Sequence, residues 1–388
     1  MGNNNIKFII LTTIPNSLNF FKNQINGLNE IYDVTLISSP SPLLKEIADR
    51  EHVNYKGIEM KREISIISDL ISLLKLIIYF ISYKPQIIHC NTPKASLLGL
   101  IAGYLTRVPN RIYYIHGFRY EGTFGFKRKL LIGMEKISCF CATNIIAVSH
   151  GIKQTAQKEI TNKNIAVIHN GSANGMVIEN FLETNYNNEK TRNELNIQAN
   201  DFVYGFVGRI VGDKGINELV ESFNELNKIH NNIKLILVGN YEENLDPIKE
   251  STKYLIKSNL NIIETGFQKD VKKYLSIIDV FVSPSYREGF GLSLLEANLM
   301  QVPVIASNIT GYNEIIREGK NGFLIPSKNK DALQNKMDEV YVNRHQLIEM
   351  KSFCRENAIK KYNHNDVLAQ ALKYYKNLHS EKNVQKLF

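Results

Sequence analysis

At 388 residues the chain is longer than a single hydrophobic core normally grows, about 250–300 residues, so two substantial domains are expected. Its 44% hydrophobic and 22% charged content excludes a disordered chain. Four cysteines (Cys90, Cys139, Cys141, Cys354) without a C-x-x-C pair argue against a disulfide framework or structural zinc and fit a reducing cytosol.

The net charge of +9 is unevenly placed. Residues 1–170 hold 20 Lys and Arg against 11 Asp and Glu, whereas residues 171–388 hold 27 of each. A basic N-terminal half attracts an anionic membrane, a phosphorylated acceptor or nucleic acid. Nucleic acid is not expected, because no helix-turn-helix or RNP-type motif is present. "FGFKRKLLIGMEK" interleaves Lys127, Arg128 and Lys129 with Phe124, Phe126, Leu130 and Leu131, a mixture suited to an anionic leaflet or to a solvated basic helix face.

The opening "MGNNNIKFIILTTIP" reads as a strand and not as a signal peptide. Gly2 is followed by Ile6 where a myristoylation signal needs Ser or Thr, so lipidation is not expected. Residues 64–83, "ISIISDLISLLKLIIYFISY", are the best candidate for a membrane span, but Asp69 and Lys75 fall inside them. Ile67, Leu70, Ile71, Leu74, Ile77, Ile78 and Ile81 make a helical stripe of the core-facing kind, which is the expectation adopted here.

Short strand-like runs alternate with helical patterns throughout. "IKFIIL", "DVTLIS", "QIIHC", "RIYYI", "NIIAVS" and "NIAVIH" fill the first half, with helices at 94–106 and 126–141 between them. The polar stretch "LETNYNNEKTRNELNIQAND" has no apolar period and reads as a connection. Then come "FVYGFVG", "IKLILVG", "NIIET", "DVFVSPS" and "PVIAS", with helices near 215–229, 244–258 and 291–300. This alternation means parallel sheets covered by helices on both faces. The expected α/β architecture is two Rossmann-like, doubly wound domains facing across a cleft. An N-terminal domain spans 1–175, a linker 176–200 and a second domain 201–363, and a helix at 364–379 begins the tail 364–388, which packs back on the first domain.

In open parallel sheets ligands bind beyond the carboxyl ends of the strands. After "FVYGFVG", Gly208 and Arg209 leave the strand and Lys214 precedes a helix. The two basic residues are either a diphosphate site at a helix N-terminus or exposed loop charges. After "DVFVSPS" comes "YREGFG", where Gly289 and Gly291 let backbone approach a ligand, and then the helical "LSLLEANLM". Glu288 stands at the mouth of that turn. Glu296 lies inside an apolar run, where an unpartnered carboxylate is costly. A carboxylate there suits two adjacent hydroxyls, such as those of a ribose, or a neighbouring backbone group.

Together, "GRIVGDKG", "EGFGLSLLEA" and "PVIASNITGYNEIIREGKNGFLIP" resemble the donor half of glycosyltransferase family 4. "PQIIHCNTPKASLLGLIAGYLTRVP", "YYIHGF" and "IHNGSANGMVIENF" are similar to its bacterial branch that builds capsule, O-antigen and glycan-lipid precursors. The resemblance implies a GT-B fold and retaining transfer of a hexose or N-acetylhexosamine from a nucleotide donor, with UDP favoured. It also implies no bound metal and no cofactor beyond the donor, and no D-x-D pair stands in a plausible metal-binding loop. The implied acceptor is a polyprenyl-diphosphate-linked sugar or glycan, met in the cytoplasm at the anionic inner face of the bacterial plasma membrane.

Carried over to this chain, the resemblance assigns Gly208, Arg209 and Lys214 to the diphosphate and Glu296 to the ribose. Glu288 goes to the sugar hydroxyls, and Gly289, Phe290, Gly291 and Leu292 supply backbone N–H groups. Thr265, Gly266, Phe267 and Gln268 seat the base. His116 lies near the transferred sugar, so His116, Glu288, Arg209 and Lys214 are the catalytic candidates. Where many members have a Gly-Gly loop after the first strand, this chain has "TTIPNSLNFFKNQ". Asn16 and Ser17 are expected to cap the following helix and, with His116, Gly117 and Arg119, to serve the acceptor, with Phe20, Phe21 and Lys22 at the edge. The rival readings are a nucleotide-sugar 2-epimerase on the same scaffold and a non-catalytic membrane-surface protein.

Overall fold

The computed structural model describes residues 6–182, 186–243 and 246–384, with side chains as far as residue 378. The chain divides into two compact units, Met1–Gly175 with His364–Phe388, and Met176–Asn363.

The first unit is built on seven parallel strands: β1 (Lys7–Leu11), β2 (Asp33–Ser38), β3 (Asn54–Gly57), β4 (Ile87–Asn91), β5 (Asn110–Ile115), β6 (Asn144–Ala147) and β7 (Ile165–Ala166). Their order is β3-β2-β1-β4-β5-β6-β7. The direction of strand addition reverses at β1, which pairs with β2 on one side and β4 on the other. Beyond the carboxyl ends of β1 and β4 the loops are stitched together. Thr13 donates its backbone N–H to Thr92 Oγ1 at 3.0 Å, and the two hydroxyls meet at 2.8 Å. Thr92 sits at φ 66°, costly for a β-branched residue and held there by these bonds.

The second unit has six parallel strands: β8 (Phe202–Val207), β9 (Ile233–Val238), β10 (Ile262–Gly266), β11 (Val280–Ser283), β12 (Val304–Ser307) and β13 (Gly322–Ile325). The order is β10-β9-β8-β11-β12-β13, so its reversal lies between β8 and β11. Tyr204, Phe206, Phe223 and Leu235 anchor the core, and the Tyr204 hydroxyl donates to the Met337 carbonyl at 2.8 Å. Both sheets carry one strand more than the apolar runs predict. The additions, β3 and β13, are four-residue edge strands: β3 is exposed at all four positions, whereas β13 is apolar and sends Ile325 into the core.

Four expectations are corrected. First, the helix Ile66–Tyr83 forms, but its apolar stripe faces outward. Only Ser72, Leu76 and Phe80 are buried, Ile77 is half-buried, and Ile67, Leu70, Ile71, Leu74, Ile78 and Ile81 are all exposed. Periodicity identifies an apolar face without naming what covers it. Second, Asn16 and Ser17 cap nothing. They lie within a 3-10 helix, Pro15–Phe21, whose first turn follows Ile14 and has no side-chain cap. Proline at the first position starts that turn directly. Third, the stretch expected as a linker carries regular structure on the second unit, residues 183–185 lying outside the described residues. The helix Asn188–Glu194 is capped by Asn187, and Arg192 donates to the carbonyls of Gln198 and Asp201. Fourth, the helix expected at 244–258 starts later, at Glu250–Ser258, and residues 244–245 lie outside the described residues.

The C-terminal helix His364–Val384 belongs to the first unit. Leu368 packs beside Gly27, and Tyr375 reaches the sheet interior. All four cysteines are buried and unbridged.

Candidate active site

In the second unit the sequence-predicted residues gather beyond β8 and β11, on either side of the strand-order reversal. After β8 the chain makes a 3-10 turn, Gly212–Lys214, and enters the helix Ile216–Asn227 through Gly215 at φ 71°. A Cβ on Gly215 would stand 2.2 Å from the Pro284 carbonyl oxygen, so only glycine lets this turn lie against the loop after β11. That contact brings Lys214 to Glu288, and their side chains are ion-paired.

Glu288 is held through a single oxygen. Oε1 takes the Lys214 ammonium, the Ser285 hydroxyl at 3.2 Å and the Tyr312 hydroxyl at 3.1 Å. Tyr312 is fixed in turn by Ser283 Oγ at 2.6 Å. Among the described residues nothing bonds Oε2. The carboxylate is therefore oriented on one side and available on the other. A second pair braces the same loops, with Arg287 donating to Asp213 at 2.9 Å and Tyr286 N–H to the Asp213 carbonyl at 2.8 Å.

Arg209 does not converge with Lys214. It pairs with Glu242 in the loop after β9 at 2.7 Å and is about half exposed. The two cations flank the end of β8 on separate carboxylates, because Gly208 turns the chain toward β9 before Lys214 turns it back toward β11.

The helix Leu292–Leu299 starts at Gly291, at φ 112°. Its first backbone bonds run from Leu294 and Leu295 to the Gly291 carbonyl, so the N–H groups of Leu292 and Ser293 have no partner within the helix. The Phe290 ring is buried edge-on against Tyr362 at 5.4 Å, leaving only its backbone for a ligand. Glu296 sits in the second turn. Burial pushes its carboxyl up to about 7, with Lys272 pulling the other way. No described residue places a hydrogen-bond donor on it.

Beyond β10, Thr265 and Gly266 end the strand. Phe267 donates its backbone N–H to Asn240 Oδ1 at 2.9 Å while its ring is 72% exposed, a free flat surface for a planar ligand. Gln268 Nε2 closes the turn on the Thr265 carbonyl at 2.7 Å.

In the first unit His116 follows β5. Its ring stacks on Tyr114 at 4.6 Å and on the exposed Phe20 at 5.6 Å, and Phe21 meets it edge-on at 5.8 Å. The loop that replaces Gly-Gly thus presents aromatic rings to the histidine. Asn16 bonds only Asn19 there, and the Lys22 carbonyl accepts from Asn174. Gly117 follows His116, whereas the exposed Arg119 reaches the Arg62 carbonyl at 3.4 Å and is not drawn to the ring.

Three further residues join His116 in a chain that the sequence reading missed. The Asn91 amide nitrogen faces His89 Nδ1 at 2.9 Å and the His89 carbonyl at 3.1 Å, so its oxygen must face His116 Nε2 at 3.1 Å. His116 Nε2 therefore carries the hydrogen, and Nδ1 is a bare acceptor. His89, protonated on Nε2, donates to the Tyr375 hydroxyl at 2.9 Å. Burial lowers His116 to about 4 and His89, beside it, to about 3, so both rings are neutral at pH 7. A signal existed, since His89 and Asn91 are alternate residues of β4 and share a face. Ser285 and Tyr312 were likewise unassigned. A polar depression lined by Asn29, Asp33, Asp49 and His52 lies at the amino end of β2, away from these loops.

Two family models match the two halves of this layout. The "Glycosyltransferase Family 4" model covers residues 20–172, and "Glycosyl transferases group 1" covers residues 187–361. A capsular polysaccharide biosynthesis glycosyltransferase, CapM of Staphylococcus aureus, is 39% identical over 341 residues, covering 87% of this chain and 88% of that protein. The chain belongs to glycosyltransferase family 4. An Escherichia coli UDP-Gal:α-D-GlcNAc-diphosphoundecaprenol α-1,3-galactosyltransferase is 29% identical over 345 residues, covering 86% of each. Among solved structures, Anabaena HepE in complex with UDP-glucose superposes with a TM-score of 0.79 at 20% identity, over 96% of this chain and 100% of that one. The fold is GT-B, a pair of parallel-sheet α/β domains. Membership of this glycosyltransferase family leaves the epimerase and the non-catalytic readings without support.

Proposed function

We propose that the chain is a metal-independent, retaining hexosyl- or N-acetylhexosaminyltransferase. It uses a UDP-sugar and a polyprenyl-diphosphate-linked acceptor, and works at the inner face of the bacterial plasma membrane in surface-glycan synthesis. The donor and acceptor named for the E. coli relative support this choice, as does the capsule role named for CapM. The observation that carries it is the pairing of a pre-oriented Glu288 with an unpartnered Glu296 on the loop and helix after β11.

The chemistry follows from where charge develops. As the anomeric C–O bond to the diphosphate breaks, negative charge builds on the β-phosphate oxygens. Lys214, Arg209 and the Leu292 and Ser293 N–H groups are cationic or dipolar donors fixed on loops at the strand ends, so they supply this stabilisation without a metal. Glu296 accepts from the two ribose hydroxyls, Phe267 stacks on the base, and Glu288 Oε2 accepts from a sugar hydroxyl. The acceptor oxygen bonds to the anomeric carbon on the face the diphosphate leaves, and its proton passes to the departing phosphate oxygen. His116, neutral and with a bare Nδ1, accepts a hydrogen bond from a sugar hydroxyl.

The experiment is transfer from UDP-, GDP- and ADP-hexoses to a polyprenyl-diphosphate-linked N-acetylhexosamine in EDTA, with the product anomer read by NMR. An α-linked product from a UDP-α-sugar supports the proposal. Inversion, or a glycosyl-enzyme adduct seen by mass spectrometry, contradicts the mechanism, and activity only with added metal contradicts metal independence.

A further inference from the structure

The apolar stripe of the helix Ile66–Tyr83 is unexplained by the fold. Ile67, Leu70, Ile71, Leu74, Ile78 and Ile81 recur at three- and four-residue spacing on one face, between 49% and 76% exposed. A core helix would bury this face. The helix is also long and apolar enough to cross a bilayer by length and composition. It is nevertheless fastened along its other side. Asp69 pairs with Lys94 on the helix Pro93–Leu105 at 2.6 Å, Ser72 donates to the carbonyls of Glu59 and Ser68, and Leu76 and Phe80 are buried. Crossing would tear those contacts away and place Asp69 and Lys75 in hydrocarbon.

Neighbouring helices also expose apolar side chains. Pro93–Leu105 packs between Ile66–Tyr83 and Gly125–Cys141. The exposed rings of Tyr104 and Phe140 meet at 5.7 Å where the last two helices adjoin. Charge is concentrated in the same stretch. Residues 61–140 hold 12 Lys and Arg against 4 Asp and Glu, a balance of +8 out of the chain's +9. Of those four acids Asp69 is already paired, and Glu135 is buried under the Tyr113 hydroxyl.

We infer that this face docks on an anionic lipid surface, with Ile66–Tyr83 lying in the plane of the interface. The six Ile and Leu side chains enter the headgroup–acyl boundary, and Lys61, Arg62, Lys75 and Lys84 contact anionic headgroups. An exposed apolar stripe beside basic residues, on a helix anchored by its polar side, is the composition of an in-plane helix. A second copy of this chain is the poorer occupant, because it would bring two strongly basic faces together. The inference rests on the membrane-surface reading above and identifies the surface that serves it.

The test uses the full chain and vesicles of phosphatidylcholine alone or with 30% phosphatidylglycerol. Wild type is expected to sediment with the anionic vesicles and to be largely released by 1 M salt, as screening requires. Leu74→Glu/Ile78→Glu, and separately Leu70→Ser/Leu74→Ser, are expected to lower partitioning at least about tenfold, with far-UV circular dichroism and UDP affinity unchanged. Leu70, Leu74 and Ile78 are all exposed and lie on the other unit from the donor residues. Wild-type partitioning by both variants overturns the inference, as does failure of wild type to bind anionic vesicles. A dimer by light scattering that either variant dissociates assigns the face to a second copy and overturns it too. Loss of UDP binding in wild type with vesicle binding intact would fail the donor reading alone.

Discussion

The imidazole of His89 and the phenol of Tyr375 are hydrogen-bonded at 2.9 Å, although 286 residues separate them. Asn91, oriented by the His89 carbonyl, puts the hydrogen on Nε2 of His116 and leaves His89 Nε2–H to donate to the phenol. The C-terminal helix thus supplies the acceptor that ends this chain of hydrogen bonds. Tyr375→Phe leaves the His89 N–H buried without an acceptor, which costs about 1–3 kcal/mol. Thermal or denaturant unfolding is expected to show that loss. Turnover is expected to fall while UDP affinity, measured by titration, stays at the wild-type value.

Lys214 is paired with Glu288 where the loops after β8 and β11 touch. Lys214→Ala is expected to lower turnover about 10²–10³-fold, the usual cost of one pre-oriented donor to a developing oxyanion. Lys214→Arg keeps the charge and restores part of the rate. Steady-state kinetics on both variants checks this. An alanine variant with wild-type turnover would remove Lys214 from catalysis.

Burial raises the Glu296 carboxyl from 4.5 to about 7, and this gives two opposite pH effects. Ribose hydroxyls are bonded best by the ionised form, so UDP affinity should rise as pH increases through about 7. Stability runs the other way. Between pH 4.5 and 7 the folded chain holds a proton that the unfolded chain has lost, so the stability that this group contributes is present at low pH and lost as pH rises. By linkage the cost at pH 8 is up to about 3 kcal/mol. Glu296→Gln is therefore expected to weaken UDP binding yet raise the melting temperature at pH 8, with little change in melting temperature at pH 4.5. A variant less stable than wild type at pH 8 would mean that the carboxylate has a protein partner.

Gly215 stands at φ 71°, where a side chain costs about 1–2 kcal/mol, and its Cβ would lie 2.2 Å from the Pro284 carbonyl. Gly215→Ala should destabilise the chain by at least that amount and weaken donor binding by shifting the loop that carries Glu288. Gly133→Ala is the control. Its Cβ meets nothing within 4 Å in the interior of the helix Gly125–Cys141, so about 0.5–1 kcal/mol of stabilisation is expected. Melting temperatures of the two variants should move in opposite directions.

The sheets were legible because runs such as "FVYGFV" and "IKLILV" are buried on both faces, and such strands announce themselves by continuous apolarity. β3 was not, because an exposed edge strand needs no such run, and β13 was not, because its apolar run is only four residues long. Glu288 and Glu296 stood out as carboxylates in a glycine turn and an apolar helix. Their environments did not, since the Tyr312 bond to Glu288 spans 24 residues and the Lys214 and Gly215 contacts about seventy, all set by tertiary packing between loops. The stripe from Ile67 to Ile81 shows the same limit from the other side. Its period gave the helix, and only the packed structure shows that the stripe is left outside.

The central claim is that Glu296 holds the ribose of a uridine nucleotide without a metal. Calorimetric titration of UDP, GDP and ADP into wild type and Glu296→Ala, in EDTA at pH 8, tests it most directly. Micromolar binding of UDP alone, abolished in the variant, is the predicted result. No binding of any nucleotide, or equal binding by the variant, would contradict it.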